Sequence, residues 1–232
     1  MNSNLIIRIS LISLFFILSN TVLGQYGKWK KDITYQGIEF EKIRFREDGR
    51  ESLYAEGVLK QKTIIEGYPC HKKVTLNKDG ELKFFILAED SEVAGNGFKK
   101  ETHVVIRTDD TFLIHCLYEP TVQGYQIKKT NYNKFLFMGD TNFQLYPNGK
   151  LKFFQPVSDI QVQNVWCRPS GVRGGIKLFK SGKLQECTSA KDQIVQGNKV
   201  EKNNTLKFDE NGNLIAIELT NIFGMPKKKG TQ

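Results

Sequence analysis

Histidine is scarce in this chain: three residues in 232, at positions 71, 103 and 115. None has Cys, Asp or Glu beside it at the spacing of a metal site or a catalytic triad, so the sequence offers no motif for metal or nucleophilic chemistry. His115 does adjoin Cys116, but neighbours on a strand point to opposite faces, which argues against a Cys/His pair. Long apolar runs are absent after residue 24, which excludes a later helical membrane span. No extended stretch repeats apolar residues every 3.6 positions either, so helices should be few and short. Charge of one sign is not concentrated: 34 Lys and Arg face 25 Asp and Glu, for a formal charge of +9 spread thinly along the chain. Without a continuous basic patch, nucleic acid is not an expected partner. The four cysteines, Cys70, Cys116, Cys167 and Cys187, form no C-x-x-C pair and lie too far apart in sequence for a zinc site. No cofactor and no metal are therefore expected.

The N-terminus carries a targeting pattern. Asn4 to Arg8 is a short positive region, Ile9 to Leu18 an unbroken apolar stretch too short to span a bilayer, and Val22-Leu23-Gly24 a cleavage-site tripeptide. The reading is a signal peptide over 1–24, a mature chain from Gln25 and export to a periplasmic or extracellular space. Removing 24 of the 232 residues leaves 208, enough for one elongated repeat domain. An oxidising compartment permits disulfides among the four cysteines in any of three pairings, while their apolar surroundings suit buried thiols equally.

What the chain does have is an internal period. Tight-turn dipeptides recur at Asp48-Gly49, Asp79-Gly80, Asp109-Asp110, Asn148-Gly149, Ser181-Gly182 and Asn211-Gly212. Counted at the second residue, they are separated by 31, 30, 39, 33 and 30 positions. The positions six and four before each are Ile43/Phe45, Val74/Leu76, Val104/Ile106, Phe143/Leu145, Ile176/Leu178 and Leu206/Phe208, all apolar. Two apolar residues with one between them is the strand period, and the turn that follows supplies positive φ, so each unit opens with a hairpin. Second strands are read at Leu82–Leu87, Leu151–Phe154 and Leu214–Ile217. A third strand precedes a glycine, Gly95, Gly124 or Gly197, at which the chain is expected to bend toward the next unit. The class is all-β: antiparallel hairpin repeats of about 30 residues forming an extended, twisted sheet, with a β-solenoid as the alternative. A capping segment over 25–41, a repeat domain over 42–219 and a basic tail over 220–232, ending in Lys227-Lys228-Lys229, complete the division.

Runs such as Leu145-Tyr146-Pro147-Asn148-Gly149-Lys150-Leu151 and Phe208-Asp209-Glu210-Asn211-Gly212-Asn213-Leu214 resemble MORN-like repeats of bacterial proteins. Gly182 to Gly197 and Ile65-Glu66-Gly67-Tyr68-Pro69-Cys70 look closer still to a loose set of uncharacterised exported bacterial repeat proteins. The resemblance spans about residues 43 to 219 and implies a scaffold, with no activity attached to particular residues. MORN units proper are shorter and carry a Tyr/Trp-Gly pattern that this chain lacks.

Candidate sites are sparse. Asp90, Asp159 and Asp192 each stand ten residues past their turns. One carboxylate per unit is too few for calcium, so each is read as closing an Asx-turn. Ser170 to Gly175 is glycine-rich but lacks the spacing of a phosphate loop and reads as an inter-unit connection. The 39-residue interval holds an insertion in which Lys128, Lys129, Tyr132 and Lys134 mix basic and aromatic groups suited to a protein or an anionic or sugar polymer. The expected function is a non-enzymatic interaction or scaffold module of the cell envelope or extracellular space, with an unknown protein or cell-surface polymer as partner. A purely structural, stress-related envelope component is the first alternative. A glycan-active hydrolase using the recurring aspartates is the second.

Overall fold

The computed structural model describes residues 26–47, 53–130, 143–169 and 175–219. The signal segment, the Asp48-Gly49 turn, Tyr132, Lys134, Ser170 to Gly174 and the basic tail lie outside these residues.

The chain is all-β. Its centre is one antiparallel sheet whose strands follow chain order: Lys30–Tyr35, Ile38–Phe45, Ala55–Leu59, Lys73–Leu76, Leu82–Ile86, His103–Ile106, Phe112–His115, Phe143–Leu145, Leu151–Phe154, Ile176–Leu178, Leu184–Thr188, Thr205–Phe208 and Leu214–Glu218. The sheet does not close on itself, and antiparallel pairing throughout rules out the solenoid. The strand Ile38–Phe45 runs across residue 41, so the capping segment and the repeats share a strand.

The described repeat turns join successive sheet strands in one geometry. At Asn77–Glu81 the Asn77 N–H donates to Glu81 O at 2.9 Å, and the Gly80 N–H to Asn77 O at 3.2 Å. The same two bonds recur at Arg107–Thr111, Tyr146–Lys150, Phe179–Lys183 and Asp209–Asn213. This is a three-residue connection ending in one left-handed residue, which the Asp-Gly, Asn-Gly and Ser-Gly dipeptides accommodate.

The third strand of each unit is one half of a second hairpin. Among the described residues five short hairpins leave the sheet: Thr63–Ile65 with Tyr68–Cys70, Ser91–Val93 with Asn96–Phe98, Thr121–Val122 with Tyr125–Gln126, Ile160–Val162 with Val165–Cys167, and Gln193–Val195 with Asn198–Val200. The glycines expected to bend the chain onward instead reverse it. Ala94-Gly95, Gln123-Gly124 and Gln196-Gly197 all have positive φ at both positions, the mirror-image turn that matches strand twist.

These hairpins supply the second layer that a lone sheet needs. Each turns an apolar pair inward, such as Ile65 and Cys70, Val93 and Phe98, or Val195 and Val200, all buried with the sheet's Leu76, Phe85, Phe154 and Leu206 in one core. Tyr68 stacks on Phe85 at 4.7 Å between centroids and Tyr125 on Phe154 at 4.9 Å. Ten of the twelve periodic apolar positions are buried, and the other two, Phe45 and Ile106, pack against the core half-buried. The opposite face of the sheet carries no hairpin among the described residues.

Asp90 and Asp192 have a structural role, though not through an Asx-turn. Asp90 Oδ1 accepts the Lys100 N–H and Asp192 Oδ1 the Lys202 N–H, each at 2.8 Å, so each carboxylate ties the base of its hairpin ten residues on. The residue ten past Asp159 is Pro169, which has no N–H to give.

Candidate functional site

The face of the sheet that no hairpin covers among the described residues presents its side chains outward. Its residues can be followed strand to strand through the pairing register: Arg44, Glu56, Thr75, Phe84, Val105, Leu113, Gln144, Phe153, Lys177, Glu186, Lys207 and Ala216 are successive cross-strand neighbours. Along this row the chemistry changes. Phe84, Val105, Leu113 and Phe153 form a half-buried apolar middle. Beyond it charges alternate in sign: Lys177 Nζ meets Glu186 at 2.8 Å and Lys207 Nζ meets Glu218 at 2.7 Å. Opposite charges across strands are the arrangement that favours folding.

The N-terminal end breaks that pattern. A register shift between Phe40 and Lys42 lets the strand place Lys42, Arg44 and Arg46 outward while Ile43 is buried and Phe45 packs on the core. On the edge, Lys31 lies directly opposite Lys42 and Tyr26 bridges Arg46. Two like charges facing each other across a strand pair cost stability. Aromatic rings interleave with the cations. The Arg44 guanidinium lies 4.4 Å from the Tyr26 ring and 4.6 Å from that of Trp29, Arg46 lies 4.9 Å from Tyr26, and Lys42 Nζ 5.4 Å from Trp29. Trp29 is 39 % exposed although its ring could have been buried.

One carboxylate set into this array is Glu56, which has two partners, Arg44 at 3.0 Å and Lys73 at 2.9 Å. Burial alone would raise its pKa, yet the hydrogen bonds from Lys73 and Arg44 outweigh that and hold it below the usual carboxylate range. Lys31 and Lys42 remain as outward positive charge beside the flat surface of Trp29. Such a combination holds anionic groups by charge and sugar or other ring faces by stacking.

The sequence points to a surface in the insertion and not to this one. Of the residues named there, Lys128 is half-buried with its N–H bonded to Gln155 O at 2.9 Å, and Lys129 is exposed. Tyr132 and Lys134 lie outside the described residues. The missed signal was the cation-aromatic alternation of Tyr26, Trp29, Lys31, Lys42, Arg44 and Arg46, which becomes an array only through the pairing of two strands.

Other reactive groups lie apart. His71 Nε2 is 3.3 Å from Glu101 Oε1, with Lys72 Nζ on the same carboxylate at 3.0 Å, a contact across thirty residues of chain that spacing does not reveal. His103 and His115 face each other across neighbouring strands. Among the described residues, no group of three His, Cys, Asp or Glu side chains is placed to hold a metal ion, and no helix is long and apolar enough to cross a membrane. Set against family models, curated proteins and solved structures, the chain matches none.

Proposed function

We propose that the protein is an exported, non-enzymatic interaction module of the cell envelope or extracellular space that holds an anionic cell-surface polymer on the open face of its sheet. The observation that carries this reading is the facing pair Lys31 and Lys42 beside exposed Trp29. Folding gains nothing from two lysines opposed across strands, and the other end of the same face neutralises its charges pair by pair. An anionic ligand supplies the missing counter-charge. The sheet serves as a rigid platform, because its hairpin layer packs one side and leaves the other available.

The test is binding of the mature chain to an acidic polysaccharide such as polygalacturonate, with neutral dextran as control, over a range of salt. Saturable binding to the acidic polymer that weakens as salt rises is the expected result. Equal binding to both polymers, or none to either, would overturn the reading.

A further inference from the structure

We propose that Cys167 and Cys187 form a disulfide site that staples an outer hairpin to the long sheet. The inference starts from backbone pairing. Cys167 ends the outer strand Val165–Cys167 and bridges Ser189 just past the sheet strand Leu184–Thr188. Two hydrogen bonds fix that bridge: Arg168 N–H to Thr188 O and Ala190 N–H to Trp166 O, each at 3.0 Å. Cys187 lies two residues before Ser189, hence on the same side of its strand and diagonal to Cys167, so that closing the bond draws the hairpin slightly toward the sheet strand.

Both side chains are inside the core, Cys167 at 0 % and Cys187 at 1 % exposure. Both are free thiols in this structure, near enough for each to feel the other, and the Cys167 thiol donates to Val165 O at 3.5 Å. Interaction with the Cys167 thiol, followed by burial, pushes the Cys187 thiol up. The other two cysteines have oxygen neighbours: Cys70 donates to Tyr68 O at 3.3 Å and Cys116 lies 3.8 Å from Thr102 Oγ1. Of the three pairings that four cysteines allow, the fold favours the one containing Cys167 with Cys187.

In the reaction one thiolate attacks the disulfide of an oxidant, either a small-molecule disulfide or a thiol–disulfide oxidoreductase. The second thiolate then displaces the oxidant's remaining sulfur. The two cysteines lose two protons and two electrons, and the oxidant leaves as two thiols. A thiol held protonated in a dry core reacts slowly, so the bond forms during folding, as the hairpin docks and before the core closes over it. Formation in the cell rests on the export proposed above, whereas the pairing itself does not.

The test refolds the reduced, denatured full chain in a mixture of oxidised and reduced glutathione and then titrates thiols in denaturant. Two thiols should titrate where four do in reductant, the intact mass should fall by two hydrogens, and peptide mapping should link Cys167 to Cys187. The Cys70→Ser/Cys116→Ser double variant should form the same link, and Cys167→Ser should not. Four free thiols, or a link involving Cys70 or Cys116, would overturn the proposal. Should Cys167→Ser fail to refold, the peptide map of the unaltered chain decides alone. Cell fractionation tests export separately: a chain retained inside the cell that still forms this link in glutathione would remove the export reading and leave the pairing intact.

Discussion

Gln163 grips the turn at Gly182: its Nε2 donates to the Gly182 carbonyl at 3.0 Å while its Oε1 accepts the Leu184 N–H at 3.0 Å. One side-chain amide thus satisfies a donor and an acceptor that the repeat turn leaves unpaired. Gln123 does the same for Gly149 and Leu151, at 2.8 and 3.4 Å, and Gln196 for Gly212 and Leu214, at 2.7 and 2.8 Å. The tip of each of these outer hairpins therefore holds the sheet turn of the unit that follows. Replacing Gln163 by Ala should cost about 1 kcal/mol in urea-induced unfolding, the usual worth of such bonds. No change in midpoint would show that water substitutes for the amide.

Glu66 occupies the same place in an earlier unit. Its Oε1 accepts the Leu82 N–H at 2.8 Å, but a carboxylate has no proton to offer the turn carbonyl. Glu66→Gln restores the donor and should raise stability by about 0.5–1.5 kcal/mol. Calorimetry of the two proteins side by side checks the sign.

A glycine comparison tests how closely the hairpin tips meet the turns. Gly95 and Gly149 both have left-handed backbones, with φ of 70° and 80°. A Cβ on Gly95 meets nothing within 4 Å, whereas one on Gly149 would stand 2.1 Å from the Ala94 carbonyl oxygen. Gly95→Ala should therefore cost only the backbone strain, about 1–2 kcal/mol, and Gly149→Ala about 1–3 kcal/mol more through the clash. Equal losses would mean that the two turns do not touch.

Much of this architecture was legible because it is written locally. The apolar pairs such as Val74/Leu76 and Ile176/Leu178 and the Asp-Gly or Asn-Gly turns depend only on near neighbours, so they survive in a linear reading. The outer hairpins were half legible. Gly95, Gly124 and Gly197 marked a bend, read as leading onward instead of back, because strands of two or three residues are too short to declare their own period. The cation-aromatic array and the thiol pair were not legible at all. Trp29 meets Arg44 only because one strand folds back on the next, and Cys167 meets Cys187 only because a hairpin docks on the sheet.

The inward face can be checked at adjacent residues. Leu178 is 3 % exposed, while Lys177 points to the open face and pairs with Glu186. Leu178→Ala should cost about 2–4 kcal/mol by opening a cavity, and Lys177→Ala under about 1 kcal/mol, since a partly exposed ion pair is worth little. Chemical denaturation of both variants separates the two faces.

Stability should fall on acidification in two stages. Burial lowers the pKa of His103, which packs edge-on against Phe84 at 5.7 Å, and burial likewise lowers that of His71. For a group whose folded pKa is depressed, stability is fully present above the unfolded value, about 6.5 for His, and is lost as pH falls through the folded one. Glu56, also depressed in net, adds a second loss that begins below about 4.3. Urea midpoints measured from pH 7 to pH 3 should show both declines, and His103→Gln should flatten the upper one. A midpoint constant down to pH 5 would contradict the histidine assignment.

The open-face reading makes a prediction that separates binding from folding. Lys42→Glu turns the facing pair with Lys31 from like to opposite charge, which should stabilise the fold by about 0.2–1 kcal/mol. The same change removes one cation from the array and adds an anion beside Arg44, so affinity for an acidic polysaccharide should drop and its salt dependence become shallower. Lys199→Glu, exposed on an outer hairpin, reverses the same charge away from the array and should leave affinity unchanged. Only a ligand site makes the Lys42 variant more stable and a poorer binder at once, because a purely structural patch would show the stability gain with no loss elsewhere. Isothermal titration at two salt concentrations, paired with thermal melts of both variants, decides between them.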